Sequence, residues 1–388
     1  MVERFFAPCP RGLERALAAE LVALHAEHVT PVDGGVGFAG ARELAYHVNL
    51  ESRLASRVLW QVAHGAYRSE DDVYRLVQKV RWPELFRSDR TLRVDIAATR
   101  SPLTSLEFAT LKVKDAVCDL FRAQGGTRPS IDKQRPDVRV HAFLSENAAT
   151  IYLDTSGEPL FKRGYRRSSD AAPLRENLAA GLIALAGWNP DMPLLDPMCG
   201  SGTIAIEAAM IAARRAPGLS RTFGFQKLAW FDGPTWQRIR QRAHDRVVRD
   251  PSIAPIFASD RDGSAIDQTL RNAAQAGVAA WIRVEQGDVL QRTAPAPAGA
   301  LVTNPPYGVR LEDEKRLAAF YPKLGDALKA RFAGWTAWLL SGDMRLPKLI
   351  GLKPAARTPL YNGAIECRLF RFDIVSGRPM RTPRNQAS

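Results

Sequence analysis

The chain has 388 residues and a formal net charge of +13, and 46% of its residues are hydrophobic. This length favours two or three domains, each with enough apolar residues for a buried core. No apolar run is long enough to span a bilayer, and the first residues lack the apolar region of a signal peptide. The cysteines Cys9, Cys118, Cys199 and Cys367 form no closely spaced pair, which disfavours a zinc ribbon or a disulfide framework. We therefore expect a cytoplasmic protein without a metal site.

The positive charge is unevenly distributed along the chain. Residues 1–165 contain 23 Lys and Arg against 21 Asp and Glu, whereas the remainder contains 31 against 20. A basic excess of this size suits a polyanionic partner such as nucleic acid. It is also compatible with a basic protein that has no such partner, so charge alone leaves both interpretations open.

The first predicted module mixes strands and helices. Residues 2–8 have the pattern of a short strand, and GLERALAAELVAL (12–24) places apolar side chains at helical spacing. VDGGVGFAG (32–40) predicts a Gly-rich turn, and the segment from 43 to 65 predicts a second amphipathic stretch. We expect an α+β module over residues 1–65.

A second α+β module is predicted for residues 66–157. The alternating segment TLRVDIAAT (91–99) indicates a strand, and residues 108–126 have the periodicity of a helix. Two more strands follow in DVRVHAFLSE (137–146) and AATIYLDTSG (148–157). Mixed strands and helices with short connections indicate a compact module of their own.

Strands and helices alternate regularly in residues 158–388. The predicted strands are LLDP, IFASD, WIRVEQGD, ALVTN and WTAWLLSGD, with helices in most of the intervals between them. This alternation predicts an α/β fold with a Rossmann-like, mainly parallel sheet. Ligands bind such sheets at the carboxyl ends of the strands, so the residues that end these strands are candidate site residues.

The first of these strands leads into a glycine-rich loop, LLDPMCGSGT (194–203). Gly200 and Gly202 allow a tight turn with exposed amide groups as the next helix begins, and Asp196 ends the strand. The third glycine of the dinucleotide fingerprint is replaced by Ala205. An acidic residue before the loop suits a cationic amino-acid group better than a pyrophosphate, so we expect S-adenosylmethionine as the cofactor.

Two further strands end in acidic residues. Asp260 follows IFAS and is placed to accept hydrogen bonds from ribose hydroxyls, and Asp288 follows VEQG and is placed to reach the adenine amino group. Each aspartate alone is more typical of a turn or a helix N-cap. Three acidic strand ends in succession favour the cofactor interpretation.

The fourth strand ends in TNPPYG, which predicts the catalytic centre. Asn304 ends the strand, and the prolines at 305 and 306 restrict the backbone so that the Pro305 carbonyl is held in a fixed direction. Two acceptors on one exocyclic amine favour the tetrahedral nitrogen that methylation requires, and Tyr307 offers a flat face for a displaced base. The alternative for NPPY alone is a proline-rich turn.

The amine is favoured over a ring carbon as the acceptor. A carbon methyltransferase requires a cysteine nucleophile beside the site. The sequence has no cysteine between Cys199 and Cys367.

These motifs resemble a known family. DPMCGSGT and TNPPYG are similar to motifs of the Asn-Pro-Pro-Tyr class of S-adenosylmethionine-dependent nucleic-acid amino methyltransferases. CPRGLERALAAEL, NLESRLASRVL, LDTSGEPLFKRGYR and APLRENLAAGLI resemble the bacterial THUMP-containing guanine-N2 RNA methyltransferases, over nearly the whole chain. The resemblance implies a ferredoxin-like module, a THUMP RNA-binding module and a Rossmann-like methyltransferase domain that acts on large-subunit ribosomal RNA.

The resemblance also implies roles for particular residues. The catalytic residues are Asn304, Pro305 and Tyr307, and the cofactor-binding residues are Asp196, Gly200, Gly202, Asp260 and Asp288. Transfer RNA is the alternative substrate, and a non-catalytic RNA-binding assembly factor is the alternative function. Adenine-N6 methylation of DNA uses similar chemistry, but the upstream modules disfavour it. No second catalytic domain is expected within these 388 residues.

Two basic segments have open interpretations. An insertion at 217–252, between Asp196 and Asp260, is rich in arginine and aromatic residues. It predicts either an amphipathic surface helix with a solvated charged face or a flap that faces RNA. FKRGYRR (161–167) predicts either a solvated linker or a contact to RNA or cofactor.

Overall fold

The computed structural model describes residues 2–166, 174–249, 251, 256–306 and 311–375, with the backbone only for 311–317. The chain divides into two compact units. The first unit is formed by Met1–Gly164 and Arg214–Val247, and the second by Tyr165–Ala213 and Val248–Ser388. The chain therefore passes between the units at three points, and part of the insertion belongs to the first unit.

The helices and strands have the following bounds. The helices are α1 (Glu14–Ala23), α2 (Leu44–Glu51), α3 (Glu70–Gln78), α4 (Trp82–Leu85), α5 (Leu106–Ala123), α6 (Glu176–Leu185), α7 (Thr203–Ala212), α8 (Gly233–Asp245), α9 (Gly263–Ala276), α10 (Leu311–Arg331) and α11 (Leu346–Ile350). The strands are β1 (Glu3–Pro8), β2 (Glu27–Val32), β3 (Gly35–Gly40), β4 (Leu59–Ala66), β5 (Leu92–Ala98), β6 (Val138–Leu144), β7 (Ala148–Asp154), β8 (Leu194–Asp196), β9 (Ile256–Asp260), β10 (Ile282–Gln286), β11 (Gly299–Thr303), β12 (Trp335–Ser341), β13 (Ala356–Asn362) and β14 (Ile365–Asp373).

The first unit is built on one seven-stranded sheet in the order β2-β3-β1-β4-β7-β6-β5. Strand β4 pairs antiparallel with β1 on one side and with β7 on the other. The expected boundary between residues 65 and 66 thus falls near the end of a strand that pairs with elements of both predicted modules. The boundaries themselves stay predictions, because a continuous sheet does not mark where one module ends.

The prediction of a Gly-rich turn at 32–40 holds for Asp33 and Gly34, which form the turn between β2 and β3, and was wrong for Gly35–Gly40, which is strand β3, buried between β1 and β2. A β-carbon on Gly35 would lie 2.5 Å from the Phe6 ring and 2.7 Å from the Ala7 carbonyl oxygen. Close packing against the neighbouring strand therefore requires glycine there. Glycine is frequent in turns and also where strands pack closely, so composition alone did not distinguish the turn from the strand.

The segment at 43–65 contains two different elements. Helix α2 ends at Glu51, where Ser52 has an extended backbone with φ of −65° and ψ of 125°. Strand β4 begins at Leu59. Apolar spacing alone does not reveal the break, since both elements bury apolar side chains.

The insertion packs on the first unit through a cluster of aromatic rings. Tyr46 of α2 lies 4.6 Å from the Phe225 ring and stacks 5.2 Å from the Trp230 ring, measured between centroids. Phe225 in turn contacts the edge of Trp236, a buried residue of α8, at 5.1 Å. The arginines of α8 at 238, 240 and 242 are exposed. This arrangement fits an amphipathic surface helix with a solvated charged face.

The second unit has the predicted Rossmann-like, mainly parallel sheet, in the order β10-β9-β8-β11-β12-β14-β13. The strands from β10 to β12 pair in parallel, and the hairpin β13–β14, which the sequence pattern did not predict, adds antiparallel to β12. Leu195, Leu301 and Leu339, from three adjacent strands, lie in one buried core cluster. The α/β fold predicted from the sequence is confirmed.

Candidate active site

Three candidate residues meet at one edge of the second sheet. Strand β8 pairs with β9 through Asp196 and Ala258 and with β11 through Leu195 and Leu301. Because these strands are parallel, their carboxyl ends lie side by side, at the point where the strand order reverses. Asp196 and Asp260 end β8 and β9, and Asn304 follows the last residue of β11.

Asp196 is a buried carboxyl group, with only 2% of the residue exposed. Its Oδ1 accepts a hydrogen bond from the Thr303 hydroxyl at 2.7 Å and a longer one from the Met198 N–H at 3.3 Å. Burial raises the pKa of Asp196 to about 7, and the charge of Asp260 adds to this shift. A carboxyl group with this pKa is poised to respond to a nearby cation at neutral pH.

The glycine-rich loop has the backbone shape that its glycines were expected to allow. Gly200 and Gly202 have φ of 51° and 81°, in the left-handed region. A β-carbon on Gly202 would lie 2.6 Å from the Thr269 side chain of α9. Thr269 and Asn272 also bind the loop, donating to the carbonyls of Gly200 and Ser201 at 2.9 Å. Glycine is thus required at 202 both for its φ and for the close approach of α9.

Sequence reasoning missed these two residues of α9. A signal was available, because Thr269 and Asn272 are three residues apart and therefore share one face of the helix. Both side chains are buried. A polar pair on the face that packs toward a sheet indicates a partner there, although spacing does not identify that partner.

Asp260 ends β9, whereas Asp288 lies two residues beyond the end of the adjacent strand β10, and the two serve different local structures. Asp260 accepts hydrogen bonds from the Gly200 N–H at 3.0 Å and the Asp262 N–H at 3.1 Å, one to each oxygen. Asp288 accepts from the Leu290 N–H at 2.9 Å in the turn after β10. Each carboxylate retains lone pairs for further donors, since an ionised carboxylate accepts about four hydrogen bonds.

Asn304 presents a buried acceptor that has no partner among the described residues. Its Oδ1 is inaccessible to solvent and accepts no hydrogen bond within the described ranges of the chain. The Tyr321 hydroxyl of α10 lies 3.4 Å from the Pro306 carbonyl oxygen and steadies the backbone of this turn, and Pro305 is buried. An unpaired buried acceptor costs free energy, so its presence at a strand end indicates a ligand that donates to it. Tyr307 lies outside the described residues.

Arg166 links the segment FKRGYRR to the loop. Its Nη2 donates to the Thr203 hydroxyl at 2.5 Å, and its Nη1 lies 3.7 Å from the Glu176 carboxylate. Thr203 is the first residue of α7, directly after the glycine-rich loop. Arg163 instead stays within the first unit, donating to the Arg53 carbonyl at 2.6 Å. The segment therefore contains one arginine, Arg163, that stabilises the first unit and another, Arg166, that contacts the residue after the glycine-rich loop.

Cys199 is the cysteine of the glycine-rich loop. Burial raises the pKa of its thiol to about 12, and the neighbouring Asp196 contributes to the shift. A thiol with this pKa stays protonated at neutral pH and is inert as a nucleophile. The loop thus offers no cysteine for methylation of a ring carbon.

No group of three or more His, Cys, Asp or Glu side chains suited to a metal ion occurs in the described part of the chain. Within the same residues, no helix combines the length and apolar character needed to cross a membrane.

Models of known families match three parts of the chain. A family model described as "RMKL-like, methyltransferase domain" matches residues 163–371. A THUMP domain model matches residues 67–154, and a model of the RlmL ferredoxin-like domain matches residues 4–59. The three modules and the resemblance expected from the sequence are therefore confirmed.

Individual relatives extend over most of the chain. A protein of Syntrophotalea carbinolica named ribosomal RNA large subunit methyltransferase K/L is 42% identical over 97% of this chain and 54% of its own length. A protein of Synechocystis sp. named as a candidate RNA methyltransferase is 39% identical over 95% of this chain and 96% of its own. The chain thus spans about half of the first relative and nearly all of the second.

A solved structure gives the same answer for the fold. The protein SMU.472, a candidate methyltransferase complexed with SAH, is 29% identical and superimposes with a TM-score of 0.87. The match covers 97% of this chain and 99% of the other.

Proposed function

Because the chain belongs to the RMKL-like methyltransferase family, we propose that it transfers a methyl group from S-adenosylmethionine to the exocyclic N2 amine of a guanine in large-subunit ribosomal RNA. The THUMP module supports an RNA substrate, and the name of the Syntrophotalea relative supports ribosomal RNA. We further propose the module bounds 1–65, 66–157 and 158–388.

The loop and strand ends fit the proposed cofactor. Asp196 offers a desolvated carboxylate for a cationic amino-acid group, and Asp260 retains acceptor capacity for ribose hydroxyls. A β-carbon on Gly200 would meet no atom within 4 Å, so the space beside this glycine is open for a ligand. Gly202 shapes the loop, and Asp288 is proposed to accept from the adenine amino group. When bound, S-adenosylmethionine supplies a sulfonium methyl group.

The unpaired Oδ1 of Asn304 is the observation that carries the proposal. The nitrogen of a nucleobase amine is a poor nucleophile, because its lone pair is delocalised into the ring. A hydrogen bond from one N–H to Asn304, and a second from the other N–H to the Pro305 carbonyl, would favour a tetrahedral nitrogen and free that lone pair. These fixed acceptors stabilise the positive charge that develops on the nitrogen.

Tyr307 completes the proposed catalytic set. It follows Pro306 directly in the sequence, and its ring is proposed to stack on the guanine once the base has left its helix. Base stacking on an aromatic ring is worth about 1–3 kcal/mol.

Mass-spectrometric mapping of nucleosides tests the proposal. Purified protein and S-adenosylmethionine are incubated with ribosomal RNA and, separately, with transfer RNA. We expect N2-methylguanosine in large-subunit ribosomal RNA, and far less of it from the Asn304→Ala variant after the same short reaction time. Methylation of adenine N6 or of a ring carbon would overturn the proposed chemistry, and methylation of transfer RNA alone would overturn the proposed substrate.

A further inference from the structure

The first unit contains a basic cleft of about 510 Å³ that the catalytic arrangement does not use. Its walls come from the segment before Tyr165 and from the insertion, and its lining residues include Glu158, Lys162, Ser220, Arg221, Thr222 and Arg240. The volume lies in the range of sites that bind ligands larger than a single ion. Three cations and one carboxylate among these residues give the cleft a positive charge.

Arg221 holds the two walls together. Its Nη1 donates to the carbonyl oxygens of Pro159 at 2.6 Å and Lys162 at 3.2 Å, and its Nη2 donates to that of Glu158. Burial lowers the pKa of Arg221 to about 10, with a further contribution from the charge of Arg163. The guanidinium therefore remains charged at neutral pH and keeps its positive potential in the cleft, while its hydrogen bonds serve the fold.

The other two cations are available to a ligand. The Lys162 side chain is 61% exposed and pairs with Glu158 at 2.6 Å. The exposed Arg240 makes a single long contact within the described residues, to the Leu219 carbonyl at 3.5 Å. An exposed ion pair such as Lys162–Glu158 contributes little to stability. The hydrogen bond of Arg240 is long and therefore weak, so both cations exchange their partners easily. The exposed Thr222 adds a hydroxyl donor to the same wall.

We propose that this cleft binds phosphodiester groups of the RNA substrate through Lys162 and Arg240. Lysine, arginine and hydroxyl side chains are the usual donors to phosphate oxygens, and such contacts position RNA without reading its sequence. The inference rests on the proposed function, since it assigns an RNA contact in addition to the THUMP module. The proposed contact uses the exposed charges of Lys162 and of Arg240 in the insertion, while the aromatic side chains of the insertion pack against the first unit.

The salt dependence of RNA binding tests the cleft. Affinity for a ribosomal RNA fragment is measured by fluorescence anisotropy over a series of salt concentrations, without methyl transfer. The slope of log affinity against log salt is negative. The double variant Lys162→Gln/Arg240→Gln should make it less steep by about 1.4 to 1.8, the value for two lost phosphate contacts. Affinity at low salt should fall on the order of tenfold.

A double variant of the catalytic unit with the same change in charge serves as the control. Arg271 and Lys329 are exposed on α9 and α10, so Arg271→Gln/Lys329→Gln should leave the slope at its wild-type value. Equal loss in both variants, or an unchanged slope in the cleft variant, would overturn the proposal. An unchanged denaturant unfolding transition, followed by tryptophan fluorescence, confirms that each variant is folded.

Two competitors separate RNA from other anions. Inorganic phosphate and polyglutamate are each added at matched ionic strength. If the wild type and the cleft variant bind RNA equally, while either anion binds the wild type more tightly than the cleft variant, the cleft is a phosphate or acidic-protein site and the assignment to RNA fails. Cleft-dependent RNA binding without guanine methylation would instead overturn the proposed function and leave this inference standing.

Discussion

The carboxyl edge of β8 and β11 and the insertion at 217–252 carry the most distinctive sequences of the chain, yet their described side chains lie in opposite environments. At the edge, Asp196 is desolvated and Asn304 has a buried acceptor with no partner in the described part of the chain. In the insertion, Phe225 and Trp236 contact other rings and the arginines of α8 face solvent. Polar groups that are desolvated or lack hydrogen-bond partners indicate a functional site. Aromatic rings that pack against one another, as in the insertion, indicate a contribution to stability.

The largest expected effect concerns the aromatic cluster of the insertion. Phe225 is fully buried in the aromatic cluster, so Phe225→Ala should lower the free energy of unfolding of the first unit by about 3–5 kcal/mol. Denaturant unfolding followed by tryptophan fluorescence measures the loss, with the exposed Phe108→Ala as the control. A stable variant with weakened RNA binding would show that the cluster faces RNA instead.

The next effect concerns the unpaired acceptor. Asn304→Ala should reduce the single-turnover rate roughly a hundredfold to a thousandfold, because the lost acceptor acts on charge that develops only during transfer. Affinity for S-adenosylmethionine, measured by calorimetry, should be unchanged. The surface variant Asn189→Ala should retain the wild-type rate. Near-normal transfer by Asn304→Ala would remove the main support for the amine mechanism.

The raised pKa of Asp196 predicts that affinity for the cofactor depends on pH. A cationic cofactor group favours the ionised carboxylate, and the pKa is raised to about 7, so affinity for S-adenosylmethionine should fall about tenfold from pH 8 to pH 6. Calorimetry across this range measures the loss. Asp196→Asn should bind weakly and without this pH dependence. A flat profile for the wild type would contradict the assigned role.

The same pKa has a consequence for folding. Because the folded state holds the Asp196 proton more tightly than the unfolded state does, protonation stabilises the fold at low pH, and this stability is lost as pH rises through about 7. Asp196→Asn should therefore raise the melting temperature most at pH 8, clearly less at pH 5, and little below the ordinary aspartate pKa of 3.8. Equal shifts at both pH values would indicate a packing effect.

The smallest effect concerns Arg166, which contacts the first residue of α7. Arg166→Gln removes the contact to Glu176 and weakens that to Thr203, so affinity for S-adenosylmethionine should fall several-fold with a smaller change in the rate of transfer. Arg166→Lys should recover part of the affinity. A loss of rate without a loss of affinity would place Arg166 in RNA contact instead.

The sequence by itself determined the α/β class, the glycine-rich loop and the residues that end β8, β9 and β11. Parallel strands separated by helices bring their carboxyl ends to one edge, so knowing the strand ends is enough to group Asp196, Asp260 and Asn304. The motif chemistry is local and therefore visible in a linear pattern. The expected catalytic and cofactor-binding roles of all these site residues depend on ligands and stay predictions.

Only the tertiary structure decided which partners these elements have. Gly35–Gly40 is a strand rather than a turn because Phe6 and Ala7 approach its backbone, and that proximity has no local signal. Thr269 of α9 and Tyr321 of α10 support the site from far along the chain. Whether a basic and aromatic segment packs or faces solvent depends on the surface available to it, here the ring of Tyr46. Long-range contacts set these outcomes, and a sequence pattern records only near neighbours.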